Sequence, residues 1–203
     1  MAKNKIDSTL LDRAITFAVK AHANTERNGK GYPYIVHPME AVVIVATMTS
    51  DQELLAAAAL HDTVEDTDAT FEQIREEFGE RVARLVETES DIVIDGTEED
   101  TWYLRKKVAI ARLGAARRDE QIVALGDKLS NMRGIARDYA ELGEALWKRF
   151  HVKEKAPHAW HYQGLAKALS PLADTEAYQE FNSLVKKVFG DYSAQPTNPV
   201  WGV

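Results

Sequence analysis

Leu54-Leu55-Ala56-Ala57-Ala58-Ala59-Leu60 contains only strong helix formers and not one polar side chain, and it runs directly into His61-Asp62-Thr63-Val64-Glu65-Asp66-Thr67. A helix that is apolar on every side has to be enclosed by other elements, so the chain must build a core around this segment. If the helix continues past Leu60, His61 and Glu65 stand one turn apart, as do Asp62 and Asp66, and the four share roughly one face. Three acids and an imidazole set against an apolar run repel or compete for protons unless a cation or a substrate compensates them. A metal ion is the natural neutraliser. The plainer alternative is an exposed acidic helix end, and the apolar run immediately before the cluster argues against it.

With 203 residues there is enough chain for one substantial core and too little for two comfortable domains. One domain over residues 1–190 is expected, with a loose tail over 191–203. A hydrophobic fraction of 45% and a charged fraction of 28% are those of a soluble globular protein rather than a disordered one. No stretch approaches the eighteen or so uninterrupted apolar residues of a membrane span. Met1-Ala2-Lys3-Asn4-Lys5 is not followed by the apolar segment of a secretory signal, so a cytoplasmic location is expected. There is no cysteine, which excludes disulfides, thiolate nucleophiles and cysteine-held zinc. Any metal has to be held by histidine and carboxylate. The net charge of −7 speaks against a broad basic surface for duplex nucleic acid. It still permits an anionic small substrate, because local cations can reverse the field inside a cleft.

Read in order, Asp7-Ser8-Thr9 offers a helix start, and Leu10, Leu11, Ala14, Ile15, Ala18 and Val19 carry a helical stripe to about Asn24. Arg27-Asn28-Gly29-Lys30-Gly31-Tyr32-Pro33 reads as a loop. Val36-His37-Pro38 opens a second helix, with His37 at or next to its cap and proline where a missing N–H costs nothing. Ser50-Asp51-Gln52-Glu53 caps the helix leading to His61, and Asp68-Ala69-Thr70-Phe71-Glu72-Gln73 starts the next with a capping box. Gly79 separates that helix from another carrying Val82, Leu85 and Val86. Residues 92–94 suit a short extended piece, and residues 96–100 a solvated loop. Helical periodicity returns over 102–116, then around Leu125, Leu129 and Met132, then over about 139–150, 160–169 and 176–189. No alternating strands appear. The class is all-α, a helical bundle of roughly nine to eleven helices.

The histidines and acids reduce to four candidate ligands, His37, His61, Asp62 and Asp127, on three separate helices. A lone histidine such as His37 is more often a hydrogen-bonding residue than a ligand, and Asp127 alone is weak; the adjacent His61-Asp62 pair changes the odds. Mixed imidazole and carboxylate ligation suits manganese, iron or magnesium better than a closed zinc site.

The segments Arg27 with Pro33-Tyr34-Ile35-Val36-His37-Pro38, then Ala59-Leu60-His61-Asp62-Thr63-Val64-Glu65-Asp66-Thr67, then Arg105-Lys106, then Gly126-Asp127-Lys128-Leu129-Ser130-Asn131-Met132-Arg133 belong together. This pattern resembles the HD phosphohydrolase superfamily, and more closely the hydrolase domain of RelA/SpoT homologues and the small alarmone hydrolases. The resemblance is clearest over residues 14–137 and weaker to about 173, where Ser170-Pro171-Leu172-Ala173 is an echo. It implies that His37, His61, Asp62 and Asp127 hold a divalent metal, usually manganese. Glu65 and Asp66 match the pair that positions and activates the attacking water. The implied reaction is hydrolysis of the 3′-pyrophosphate of ppGpp or pppGpp to GDP or GTP and pyrophosphate. Arg27 and Asn131, together with Arg105 and Lys106, are the implied nucleotide contacts, the last two reading almost equally well as a solvated helix face.

Two departures lie where the substrate would be read. The loop before His37 carries Arg27-Asn28 where the family commonly has Arg-Lys, and Glu87-Thr88-Glu89-Ser90 stands where many relatives carry Gly-Val-Thr-Lys. The alternatives are a phosphatase for another nucleotide, such as the 2′-phosphate of NADPH or a nucleoside monophosphate, or a non-catalytic nucleotide sensor; the retained Glu65 and Asp66 argue against the sensor. Trp147, Phe150, His151, His158, Trp160, His161 and Tyr162 form an aromatic, histidine-rich patch that suits core packing or a homo-oligomer surface better than a second metal site.

Overall fold

The computed structural model describes residues 7–27, 29–90 and 94–190. Among these the chain is helical, with an isolated bridge between Glu26 and Pro33 and no strand. It divides into two compact units, one of residues 1–90 with 119–130 and the other of residues 91–118 with 131–203.

The first unit is built around α3 (Gln52–Leu60). Asp51 caps it, its carboxylate accepting from the Glu53 N–H at 3.0 Å. Every residue from Leu54 to Leu60 is buried. The four consecutive alanines let neighbouring helices approach closely, and α1 (Thr9–Ala21), α2 (Val36–Ala46) and α6 (Glu80–Glu89) all pack on this one rod. Ala14 and Ala18 of α1 and Ala41 of α2 are fully enclosed. Burial of each leucine contributes roughly 1.5–3 kcal/mol relative to exposure, so this rod dominates the unit's core.

The helix does not run on through the acidic stretch as its propensities suggest. It stops at Leu60, His61 and Asp62 form a turn, and Thr63–Asp66 is a separate short helix, α4. Thr63 explains part of the break, because its hydroxyl turns back to the Leu60 carbonyl at 2.7 Å. α5 (Phe71–Phe78) begins with the expected capping box between Thr70 and Gln73, and Gly79, at a φ of +90°, joins it to α6. The first helix ends at Ala21 rather than near Asn24, the His22 N–H donating to the Ala18 carbonyl at 3.0 Å and the Ala23 N–H to the Lys20 carbonyl at 3.3 Å.

The second unit holds α7 (Glu98–Ala115), α9 (Lys155–Ala168) and α10 (Glu176–Phe189), with α9 packed on both α7 and α10. α7 begins earlier than its periodicity implies: Thr97 caps it by accepting from the Asp100 N–H at 3.1 Å, so part of the expected 96–100 loop is helix. α8 (Arg118–Leu142) is one helix whose first part belongs to the first unit and whose last part belongs to the second. The helix expected over 139–150 is instead the end of α8 followed by a 3-10 segment, Gly143–Arg149. Leu125, Leu129 and Met132 are buried, as expected. Most of the extended piece expected over 92–94, and the tail 191–203, lie outside the described residues.

Trp147 and His158 of the aromatic patch are core, Phe150, Trp160, His161 and Tyr162 are half-buried, and His151 is exposed. Trp147 is 2% exposed and His158 5%, and their rings stack at 5.2 Å, with Phe150 at 4.8 Å and Trp102 at 5.6 Å from His158. Arg133 serves as an ion-pair partner, its guanidinium reaching both Glu180 carboxylate oxygens at 2.7 Å. That contact ties the end of α8 to α10.

Candidate metal centre

Three elements deliver four side chains to one point of the first unit. α2 contributes His37, the turn after α3 contributes His61 and Asp62, and α8 contributes Asp127. His37 Nε2 lies 3.2 Å from His61 Nε2, 3.3 Å from Asp62 Oδ2 and 3.1 Å from Asp127 Oδ1. His61 Nε2 lies 3.0 Å from Asp62 Oδ2 and 3.5 Å from Asp127 Oδ1. The ligand atoms of His37, His61 and Asp127 all fall within 4.8 Å of one another.

Close helix approach makes this possible. A Cβ added at Gly126 would stand 2.7 Å from Val45 Cγ2 and 3.1 Å from the Ala41 carbonyl oxygen. Only a residue without a side chain lets α8 lie this near α2, and the next residue is Asp127.

The chemistry of the donor set calls for a cation. His61 Nδ1 is 2.9 Å from the Ala58 carbonyl, which can only accept, so Nδ1 carries a proton and the neutral ring turns the lone pair of Nε2 inward. There it meets a second imidazole nitrogen and two carboxylate oxygens, all of them acceptors unless a proton is added. With no cation the cluster recruits one: burial opposes a charge on His61, but Asp62 and Asp127 outweigh it and hold its pKa well above the ordinary value. Asp62 and Asp127 are displaced the other way. Burial raises each, and it is overcome by His61 and His37 at Asp62 and by Lys128 and both histidines at Asp127. A divalent ion at this point would take the place of that proton and could be met by all four groups. Two imidazoles and two carboxylates suit such an ion.

Outside this set stand groups that sequence reasoning did not single out. Lys128 bonds Asp127 Oδ2 and lies 3.3 Å from the buried Glu89, whose pKa is raised by its burial. The Tyr34 hydroxyl donates to Asp62 Oδ2 at 2.7 Å; burial and the Asp62 and Asp66 carboxylates push its pKa far up, so it remains a donor at any physiological pH. His22 stacks on Tyr34 at 4.8 Å, and neither of its ring nitrogens has a hydrogen-bond partner. His22 continues the stripe of Ala14 and Ala18 at intervals of four, which was the available signal. Nothing in the sequence marks Ser130, 2.8 Å from His37 Nδ1.

Of the remaining expected residues, Glu65 and Asp66 are exposed on α4, one turn beyond the ligand pair. Arg27 sits over the Tyr34 ring at 5.1 Å, in the loop that leads to His37. Asn131, Arg105 and Lys106 belong to the second unit, where the Arg105 Nε–H reaches Thr101 Oγ1 at 3.3 Å.

A family model described as HD domain matches residues 14–154. A guanosine-3′,5′-bis(diphosphate) 3′-pyrophosphohydrolase of Aquifex aeolicus is 39% identical over 128 residues, covering 62% of this chain and 18% of that protein. A probable enzyme of the same name from Synechocystis is 32% identical over 195 residues, covering 90% of this chain and 25% of that one. A probable GTP pyrophosphokinase of Mycobacterium leprae is 33% identical over 193 residues, covering 89% and 23%. The chain thus spans a quarter or less of these curated relatives. Among solved structures, a metazoan ortholog of SpoT described as hydrolysing ppGpp superposes with a TM-score of 0.71 at 21% identity, covering 92% of this chain and 98% of that one, a likeness of fold. A Listeria monocytogenes protein gives a TM-score of 0.66 at 27% identity, covering 75% and 98%.

Proposed function

Because this chain belongs to the HD domain family, we propose that it is a metal-dependent phosphohydrolase that removes the 3′-pyrophosphate of ppGpp, giving GDP and pyrophosphate. The observation that carries this reading is the convergence of His37, His61, Asp62 and Asp127, their inward nitrogen and oxygen atoms 3.0 to 3.5 Å apart, directly before the carboxylates of α4. The pyrophosphohydrolase names of the Aquifex and Synechocystis relatives supply the substrate.

In this proposal His37, His61, Asp62 and Asp127 hold the ion, and manganese is the metal of choice. When bound, it lowers the pKa of a water molecule and polarises a phosphoryl oxygen. Glu65, with Asp66 beside it, accepts the proton of the attacking water. The water oxygen forms a bond to the phosphorus attached to the ribose 3′ oxygen, that P–O bond breaks with its electron pair going to the 3′ oxygen, and this oxygen takes up a proton from solvent to leave as a hydroxyl group. Tyr34 keeps Asp62 in place by donating to Oδ2, the oxygen that faces both histidines. Arg27 is the proposed contact to base or phosphate, and its stacking on Tyr34 links that contact to a metal ligand. Asn131, Arg105 and Lys106 are carried as further nucleotide contacts. We read residues 1–190 as one domain of this family, acting in the cytoplasm during the stringent response.

The test is to incubate full-length protein with Mn2+ and ppGpp and to separate the products. Equimolar GDP and pyrophosphate are expected. Intact ppGpp, together with release of inorganic phosphate from NADPH or a nucleoside monophosphate, would assign the site to another nucleotide. Binding of ppGpp without turnover at any divalent metal would make the chain a sensor.

A further inference from the structure

His37 is the ligand whose outer ring nitrogen does not bond to the backbone. Its Nδ1 stands 2.8 Å from Ser130 Oγ, and Ser130 Oγ stands 2.7 Å from Glu40 Oε2. His37 and Ser130 are 4% exposed. The three residues come from α2 and from the part of α8 that belongs to the same unit, so a chain of two hydrogen bonds runs from a carboxylate to a metal-facing imidazole within one compact body.

The direction of that chain follows from donor counting. A carboxylate only accepts, and a serine hydroxyl has one hydrogen to give. With Ser130 donating to Glu40, its lone pairs face His37, and Nδ1 must then be the N–H donor. The neutral imidazole is left with its lone pair on Nε2, the nitrogen 3.1 Å from Asp127 Oδ1 and 3.2 Å from His61 Nε2. Turning the hydroxyl around would place a hydrogen against Nδ1 and a proton on Nε2, facing the ligand atoms, where it blocks a cation. The carboxylate of Glu40 forbids that arrangement by claiming the hydroxyl hydrogen.

We propose that Glu40 and Ser130 are positioning residues that fix the tautomer of His37, a carboxylate-serine-histidine relay that prepares one ligand of the centre before any metal arrives. The inference rests on the metal-centre reading above and adds residues that this reading does not need. Outer partners of this kind typically contribute 10- to 100-fold in metal affinity. His61 obtains the same tautomer from a backbone carbonyl, which no substitution can remove. His37 depends on two side chains, and is therefore the ligand whose tautomer mutation can change.

The experiment measures Mn2+ affinity of the full-length chain and, separately, the 15N shifts of the His37 ring in metal-free protein. Wild type should show a single His37 tautomer protonated on Nδ1. Ser130→Ala should give a mixture of tautomers and an Mn2+ Kd weaker by about 10- to 100-fold, while Ser130→Thr, which restores the hydroxyl, should recover both. Glu40→Leu removes the acceptor and should shift the tautomer with Ser130 still present, a second route if Ser130→Ala folds poorly. Unchanged ring shifts and an unchanged Kd in Ser130→Ala or Glu40→Leu would overturn the relay. Tautomer shifts in these variants of a protein whose wild type binds no Mn2+ would overturn the metal reading and leave the control of the tautomer standing.

Discussion

Both units of this protein bury histidines, and two of them, His61 and His158, are treated in opposite ways. His61, in the first unit, is 2% exposed and faces Asp62 and Asp127; their carboxylates overcome the cost of burial and hold its pKa well above the usual value. His158, in the second, is 5% exposed and is enclosed by Trp147, Phe150 and Trp102, with the Val152 carbonyl 2.9 Å from its Nε2. There burial prevails and the pKa falls. A buried imidazole is therefore not a ligand because it is buried. Its neighbours decide whether its lone pair finds a cation or its ring serves as packing.

The comparison breaks most visibly at the first histidine. His61→Ala should abolish bound metal and hydrolysis together, whereas Glu65→Ala should keep the metal and lose turnover. Metal content by elemental analysis and pyrophosphate release read the two separately, and a Glu65→Ala protein of normal rate would remove that residue from its role. His158→Ala should do the reverse, retaining Mn2+ binding while destabilising the protein by about 2–4 kcal/mol through the cavity left among the aromatic rings. Urea denaturation measures this, and loss of metal in His158→Ala without loss of stability would contradict its assignment to the core.

A smaller effect concerns pH. The folded-state pKa of His158 is lowered by burial, as is that of His22, while the unfolded chain takes up its proton near 6.5. Their stabilising contribution is thus complete above about 6.5 and declines as pH falls below that value toward the folded pKa. The raised pKa of His61 acts in the opposite sense, so the measured quantity is a difference: between pH 7.5 and pH 5.5 the urea midpoint should change less favourably in wild type than in His158→Phe. An equal change in both would place the acid sensitivity elsewhere.

How much of this was legible in the sequence depended on how far apart the interacting residues lie along the chain. The enclosed rod of α3 could be read because Leu54 to Leu60 offers no polar face, and the ligand set because His61 and Asp62 are adjacent. The break after Leu60 was hidden, since Thr63-Val64-Glu65-Asp66 is compatible with continued helix and only the backbone turn shows otherwise. The continuity of α8 was not legible, because the periodicity around Leu125, Leu129 and Met132 and that over 139–150 read as separate helices. Gly126 is a point of close approach to α2, and a Cβ at Gly134 meets nothing within 4 Å. Lys128 with Glu89 and Ser130 with Glu40 were invisible because their partners are 39 and 90 positions distant. The resemblance named the candidate ligands, and tertiary packing supplied the groups that bond to them.

The bond from His61 Nδ1 to the Ala58 carbonyl makes a proposed ligand part of the closing turn of α3, whose residues Leu54 to Leu60 are all buried. Secondary structure and coordination chemistry here share a single imidazole, so removing that ring both empties a coordination position and takes a partner from an enclosed peptide group, a loss of about 1 kcal/mol or more. An inactive His61→Ala protein therefore reports two deficits in one number. Asp62→Ala, which leaves the helix terminus as it is, is the cleaner way to ask what the centre alone contributes.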